Sequence, residues 1–258
     1  MTRAVIRAVI GAWRLARGLV HLGHGMWIVA TRFRGLSPAQ RRLDLLIRRT
    51  LDDLYWVMSY SRWKDERYWP LFRDALKRFE NDDSVRVVVF TGNDSGYFSN
   101  GFEPALFLRQ SYEYNLNVCR LVNETAMYFF FFSKPIIACL NGHAMGAGAV
   151  FALFSDWRLM GESGGRLGFP EALLGMNFPA FVARYMQDLI GVQKTRDILF
   201  GGKSLKGPDA VEIGLADKVF PEESLVAETM KFAEKLAKSP LQTLTGMCTE
   251  QSRGEGPQ

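Results

Sequence analysis

Apolar positions along this chain follow two alternating rhythms. Short, nearly continuous apolar runs mark buried strands: Val85–Thr91, interrupted only by Arg86, then Ile136–Leu140, Trp157–Met160 and Ala216–Phe220. Between them lie segments with helical spacing. Tyr68–Glu80 puts Trp69, Phe72, Leu76 and Phe79 on one side and Arg73, Asp74 and Lys77 elsewhere, with Pro70 in the first turn. Further helices are predicted over Ala39–Leu51, opened by Ser37-Pro38, and over Leu116–Phe132, Gly148–Phe154, Phe178–Leu189, Gln193–Phe200, Pro208–Ile213 and Glu222–Ala237. Leu54–Tyr60 alternates and reads as another strand. Strands alternating with helices predict an α/β domain with largely parallel pairing. No internal repeat or low-complexity linker is visible.

Composition sharpens this picture at the N-terminus. The 258 residues suit one large domain or two small ones, and 48% hydrophobic content promises a sizeable core. The formal net charge is +5, yet residues 1–43 carry eight arginines and no acid, which leaves −3 for the remainder. The basic character therefore belongs to the N-terminal segment, and the acidic body argues against a nucleic-acid partner. Val5, Ile6, Val9, Ile10, Trp13 and Leu15 approximate a helical stripe. The uncharged run Gly18–Thr31 is shorter than the ~20 residues of a membrane span. Three readings stand: a mitochondrial transit peptide, a membrane-surface helix, or a helix packed on the body. The first implies a mitochondrial location, the others a cytoplasmic or peripheral-membrane one. Cys119, Cys139 and Cys248 form no CxxC or Cys/His cluster, so neither a disulfide framework nor a metal site is expected.

Candidate chemistry concentrates between Lys134 and Gly175. The apolar run Ile136–Leu140 leads into a glycine-rich turn (Asn141, Gly142, Gly146, Gly148) and then the apolar segment Ala149–Phe154. Such a strand–turn–helix can aim free backbone N–H groups at an anionic oxygen. Some twenty residues on, Glu171 sits between Pro170 and an apolar run. N–H donors plus one carboxylate are the minimum equipment for moving a proton beside a thioester carbonyl.

Five stretches in order, VRVVVFTG (85–92), YFSNGFE (97–103), KPIIACLNGHAMGAGAVFALFSDWRLM (134–160), LGFPEALLGM (167–176) and GKSLKGPDAVEIGLADKVFPEE (202–223), resemble the crotonase superfamily, the enoyl-CoA hydratase/isomerase family. The resemblance implies a crotonase-like (ClpP/crotonase) fold of stacked ββα units with a helical C-terminal part over residues 51–250. Residues 1–50 are then an added, basic, helical N-terminal segment. It also implies acyl-CoA thioesters as substrates with no bound cofactor, and a homo-trimer or hexamer. Mapped by motif, the oxyanion-hole N–H groups are those of Phe102 and Ala147, with Ser99, Asn100, Gly101, Gly146 and Gly148 shaping the substrate site. One preorganised donor of this kind is worth ~3 kcal/mol.

Hydratases of this family carry two glutamates, one to activate water and one to deliver a proton. Here the first position is Val150, and only the second, Glu171, is a carboxylate. This pattern is similar to Δ3,Δ2-enoyl-CoA isomerases, in which one base moves a proton from C2 to C4. The rival readings are another crotonase-type reaction (hydration, thioester hydrolysis or decarboxylation) and a catalytically idle acyl-CoA-binding or membrane-associated scaffold. Glu171 itself can instead be a plain helix-start acid. Glu103, Asp156, Glu162 and His143 read as structural or exposed, and Lys134 as a solvent-facing lysine. The family's LNRP-like stretch is replaced by MSYSRW, and its last helices look shortened.

Overall fold

The computed structural model describes residues 26–32, 68–92, 96–101 and 110–250. Among the described residues, nine strands form two sheets. The larger runs β1 (Met26–Arg32), β2 (Val85–Gly92), β4 (Ile136–Leu140), β6 (Trp157–Gly161) and β9 (Lys218–Phe220), side by side in that order. The smaller runs β3 (Tyr97–Ser99), β5 (His143–Met145), β7 (Leu167–Gly168) and β8 (Ser204–Leu205). Pairing is parallel except at β1–β2 and β7–β8. The helices are α1 (Tyr68–Glu80), α2 (Tyr112–Phe130), α3 (Ala147–Leu153), α4 (Ala180–Ile190), α5 (Val192–Gly201), α6 (Gly207–Glu212), α7 (Glu222–Leu236) and α8 (Leu241–Glu250), with a 3-10 turn at Glu171–Leu174.

The central strands β2, β4 and β6 of the larger sheet are buried on both faces, which is why they lack polar alternation. Val88, Phe90, Ile136, Ala138, Leu140 and Met160 join one core with α1, α2 and α3. Their neighbours Val87, Val89, Ile137, Cys139 and Leu159 join a second core with Leu225, Met230 and Ala233 of α7. The period of two thus sorts one strand into two cores. In α1, Trp69, Phe72 and Leu76 are fully buried, as the helical stripe predicts. Each such side chain contributes ~1.5–3 kcal/mol through burial. Phe151 of α3 packs edge-on against Phe72 and Phe129, and Phe90 lies 5.3 Å from Phe129. Phe129, Phe130 and Phe132 are core, whereas Phe131 is exposed.

Three expectations need comment. Ala39–Leu51, Leu54–Tyr60 and the stripe Val5–Leu15 lie outside the described residues. Within the same N-terminal stretch, however, Met26–Arg32 is a strand, antiparallel to β2 from Met26↔Gly92 onward. Its run of Trp, Ile, Val and Thr has strong strand propensity. Lys134 is not solvent-facing: it is 2% exposed, and its Nζ donates to the carbonyls of Phe79 and Asp82, each at 2.8 Å. Buried between β4 and the end of α1, the ammonium adds a charged donor to carbonyls that also accept backbone N–H groups, Phe79 O from Asp82 and Asp82 O from Val85. Burial pulls its pKa down, against nearby Asp83, Asp82 and Glu80.

The structure also contains a repeat that the sequence hides. Three times a strand of the larger sheet turns a tight corner into a strand of the smaller one: β2 to β3, β4 to β5, β6 to β7. Backbone lies on backbone at these corners. A Cβ on Gly142 would fall 2.2 Å from the Gly96 carbonyl carbon, and one on Gly165 would fall 2.5 Å from the Gly142 oxygen. Asn141 locks the first corner to the second. Its Oδ1 accepts from Gly92 N–H and its Nδ2 donates to the Gly92 carbonyl, both at 2.9 Å.

Candidate active site

Among the described residues, the predicted site residues lie at the carboxyl ends of three parallel strands, as binding sites do in α/β sheets. Ser99 closes β3 and leads to Asn100 and Gly101. Met145 closes β5 and leads to Gly146 and Ala147. Gly168 closes β7 and leads to Glu171. The ladder holds these ends in register, with Ala144 N–H donating to Arg166 O at 2.8 Å and Gly146 N–H to Gly168 O at 3.0 Å.

Gly146 has φ 55° and ψ −127°, a conformation open only to glycine. It turns the chain so that Ala147 starts α3. As the first helical residue, Ala147 has an N–H with no acceptor inside the helix. Gly101, at φ 70°, faces that nitrogen, and a Cβ there would stand 2.7 Å from it. Ser99 Oγ braces this approach by accepting from Gly101 N–H at 3.2 Å. Gly148 packs on Ser99, whose carbonyl oxygen would lie 2.3 Å from an added Cβ. Phe102 and Glu103 lie outside the described residues.

Glu171 opens the 3-10 turn after Pro170. A Cβ on Gly146 would lie 3.6 Å from Glu171 Oε1, so the carboxylate borders the same turn that presents Ala147. Its Oε2 is buried and accepts no hydrogen bond from the described residues. Burial pushes the Glu171 pKa up, opposed by a hydrogen bond from its own backbone N–H. An apolar setting thus favours a neutral carboxyl with a free oxygen, which suits proton exchange. Val150 stands one helical turn beyond Gly146, whose carbonyl accepts its N–H at 3.0 Å, and it packs against the main core.

The other acids have structural partners or face solvent. Asp156 Oδ2 accepts from Ile136 N–H at 2.7 Å and ties β6 to β4. Glu162 is exposed. His143 sits in β5 rather than a turn. Its backbone N–H donates to Gly96 O, and its ring lies 5.4 Å from that of Tyr97. Sequence reasoning passed over Asn141 as a brace and Glu222 as a corner anchor. The Asn-Gly pair before a second apolar triplet is the signal for the first; nothing local signals the second.

Residues 71–253 match the enoyl-CoA hydratase/isomerase family, and the chain belongs to it. It is 31% identical over 172 residues to a putative enoyl-CoA hydratase of Thermus thermophilus, covering 64% of this chain and 65% of that one. It is 29% identical over 177 residues to the peroxisomal enoyl-CoA delta isomerase 2 of Arabidopsis thaliana, covering 63% of this chain and 71% of that one. The chain thus spans just under two thirds of the Thermus relative. The crystal structure of an enoyl-CoA hydratase from Geobacillus kaustophilus superposes with a TM-score of 0.69 at 28% identity, covering 75% of this chain and 74% of that one. The α/β crotonase fold follows, with two sheets of mostly parallel strands and flanking helices.

Proposed function

We propose that this protein shifts the double bond of a 3-enoyl-CoA to give the 2-trans-enoyl-CoA, with Glu171 as its single acid–base. The supporting observation is the Glu171 carboxyl, with an unpartnered buried oxygen, beside the turn that exposes Ala147 N–H. The thioester oxygen is held by the N–H groups of Ala147 and Phe102. Glu171 takes a C2 proton, the electrons spread into a dienolate, and the same carboxyl returns the proton to C4. No atom is gained or lost, so no water and no second carboxylate are needed. Val150 occupies the place of the hydratases' first glutamate, and a branched alkyl group there cannot activate water. Coenzyme A thioester is the substrate carrier, no cofactor takes part, and a homo-trimer or hexamer is the working form. Residues 51–250 form the catalytic domain, whose larger sheet also takes in β1, and the arginine-rich start of residues 1–50 serves targeting or membrane-surface contact.

The test is incubation of the purified protein with a 3-enoyl-CoA, following 2-enoyl-CoA and 3-hydroxyacyl-CoA together, with Glu171→Gln alongside. Isomer without hydroxyacyl product, lost in the variant, is the expected result. Hydroxyacyl-CoA or free CoA as first product assigns hydration or hydrolysis instead. Acyl-CoA binding without turnover leaves a binding protein.

A further inference from the structure

The corner between β6 and β7 is gripped from outside by a side chain far away in sequence. Glu222, the first residue of α7, points Oε1 at the turn after β6. That one oxygen accepts from Ser163 N–H at 2.7 Å, Gly164 N–H at 2.6 Å and Ser163 Oγ at 3.0 Å. The glycines admit it, because a Cβ on Gly161 or Gly164 would fall 3.1 or 3.2 Å from the Glu222 side chain. The carboxylate accepts three donors, so its pKa is held down chiefly by the Ser163 backbone bond.

From this grip a backbone path leads to the site. Gly165 lies on Gly142, Arg166 O accepts from Ala144, and Gly168 O accepts from Gly146. Strand β7 is only two residues long, Leu167–Gly168, and Glu171 follows three residues later. The strand is paired with β5 on one side and β8 on the other over two residues only, and its N-terminal corner is the part that Glu222 holds.

We infer that Glu222 is a positioning residue for Glu171, acting through the Ser163–Gly165 corner and β7. This rests on the reading of Glu171 as the proton carrier, and it assigns Glu222 no contact with substrate. Glu222→Ala frees the corner, lets β7 slide, and opens the Glu171 carboxyl to water. Glu222→Gln keeps an acceptor oxygen for the two N–H groups. Ser163→Ala removes one of the three donors and leaves the carboxylate in place.

The experiment compares the full-length wild type with these three variants. With a 3-enoyl-CoA, kcat for Glu222→Ala is expected to fall about tenfold with KM unchanged, short of the ~10²-fold that a 1 Å misplacement can cause. Glu222→Gln and Ser163→Ala should fall between wild type and Glu222→Ala. Carboxyl NMR titration of Glu171 should move down toward the ordinary carboxylate range in Glu222→Ala, and amide exchange at Gly168 should accelerate. A merely structural anchor would lower thermal stability and leave the Glu171 titration and the Gly168 exchange where they were. That result overturns the inference. If the wild type fails to isomerise 3-enoyl-CoA, the proposed function falls, while the titration and the exchange still decide the role of Glu222.

Discussion

The two sheets divide the labour of this molecule unequally. The larger has strands of three to eight residues, of which β2, β4 and β6 are largely buried on both faces and packed by α1, α2, α3 and α7. The smaller has strands of two or three residues, yet the candidate site residues Gly101, Ala147 and Glu171 all follow its strands. Fold energy and chemistry are thus kept apart. A carboxyl that is desolvated and unpaired, and a glycine turn with positive φ, are costs that a separate core can sustain. Changes at the small sheet's ends should remove activity and spare the fold, and changes in the large sheet should do the reverse.

The largest expected effect is at the small sheet. Glu171→Gln keeps the shape of the side chain and cannot accept a proton, so kcat should drop by ~10²–10⁴-fold, the range for positioned acid–base groups. Circular dichroism and the melting midpoint should show a folded protein. If the variant unfolds instead, the division of labour between the sheets is wrong. Ala147→Pro comes next. Proline is tolerated at the first position of a helix, so the fold should persist while one of the two N–H groups proposed to hold the thioester oxygen is deleted. A loss of ~10²–10³-fold in kcat is expected. A wild-type rate would remove Ala147 from the oxyanion hole.

The same division explains what could be read from the chain. Tyr68–Glu80 and Ile136–Leu140 have the boundaries that their patterns predict, because five to thirteen residues carry enough periods to be recognised. His143–Met145 and Leu167–Gly168 hold fewer than two periods each, so the smaller sheet was invisible to periodicity. Its repeat was hidden for a related reason. The corners share glycine and close backbone contact, not a spaced hydrophobic motif. Glu171 and Ala147 became candidates through the resemblance, since their motifs are local. The buried role of Lys134 was not, because its partners Phe79 and Asp82 lie more than fifty residues away.

The large sheet supplies the opposite test. Phe90 touches Phe72, Phe98, Phe129 and Phe151, so Phe90→Ala should leave a cavity and cost ~3–5 kcal/mol of stability. The folded fraction should retain wild-type kcat when measured well below its melting point. A kcat loss comparable to that of Ala147→Pro would show the two sheets to be coupled. Lys134→Met is a milder version. It removes the two ammonium bonds to the Phe79 and Asp82 carbonyls, which keep their backbone donors, at a cost of about 1–3 kcal/mol in urea unfolding, again without a change in kcat.

The smallest effect concerns pH and lies in the site. Burial raises the Glu171 pKa above its ordinary 4.5, so the folded protein holds this proton more tightly than the unfolded chain does. Between the unfolded and folded pKa values the native state binds more protons, and Glu171 makes stability fall as pH rises through that window. Below 4.5 both states are protonated and the penalty is absent. Glutamine is neutral throughout. Glu171→Gln should therefore be more stable than wild type at pH 8, and that advantage should vanish at pH 4. Urea unfolding of both proteins at the two pH values measures it. A variant that is less stable at pH 8 would mean that the charged carboxylate is favoured in the fold, and the apolar, proton-holding site would have to be abandoned. A gain at pH 8 would show an inactive site more stable than a working one, as expected where chemistry requires an unpaired, desolvated group.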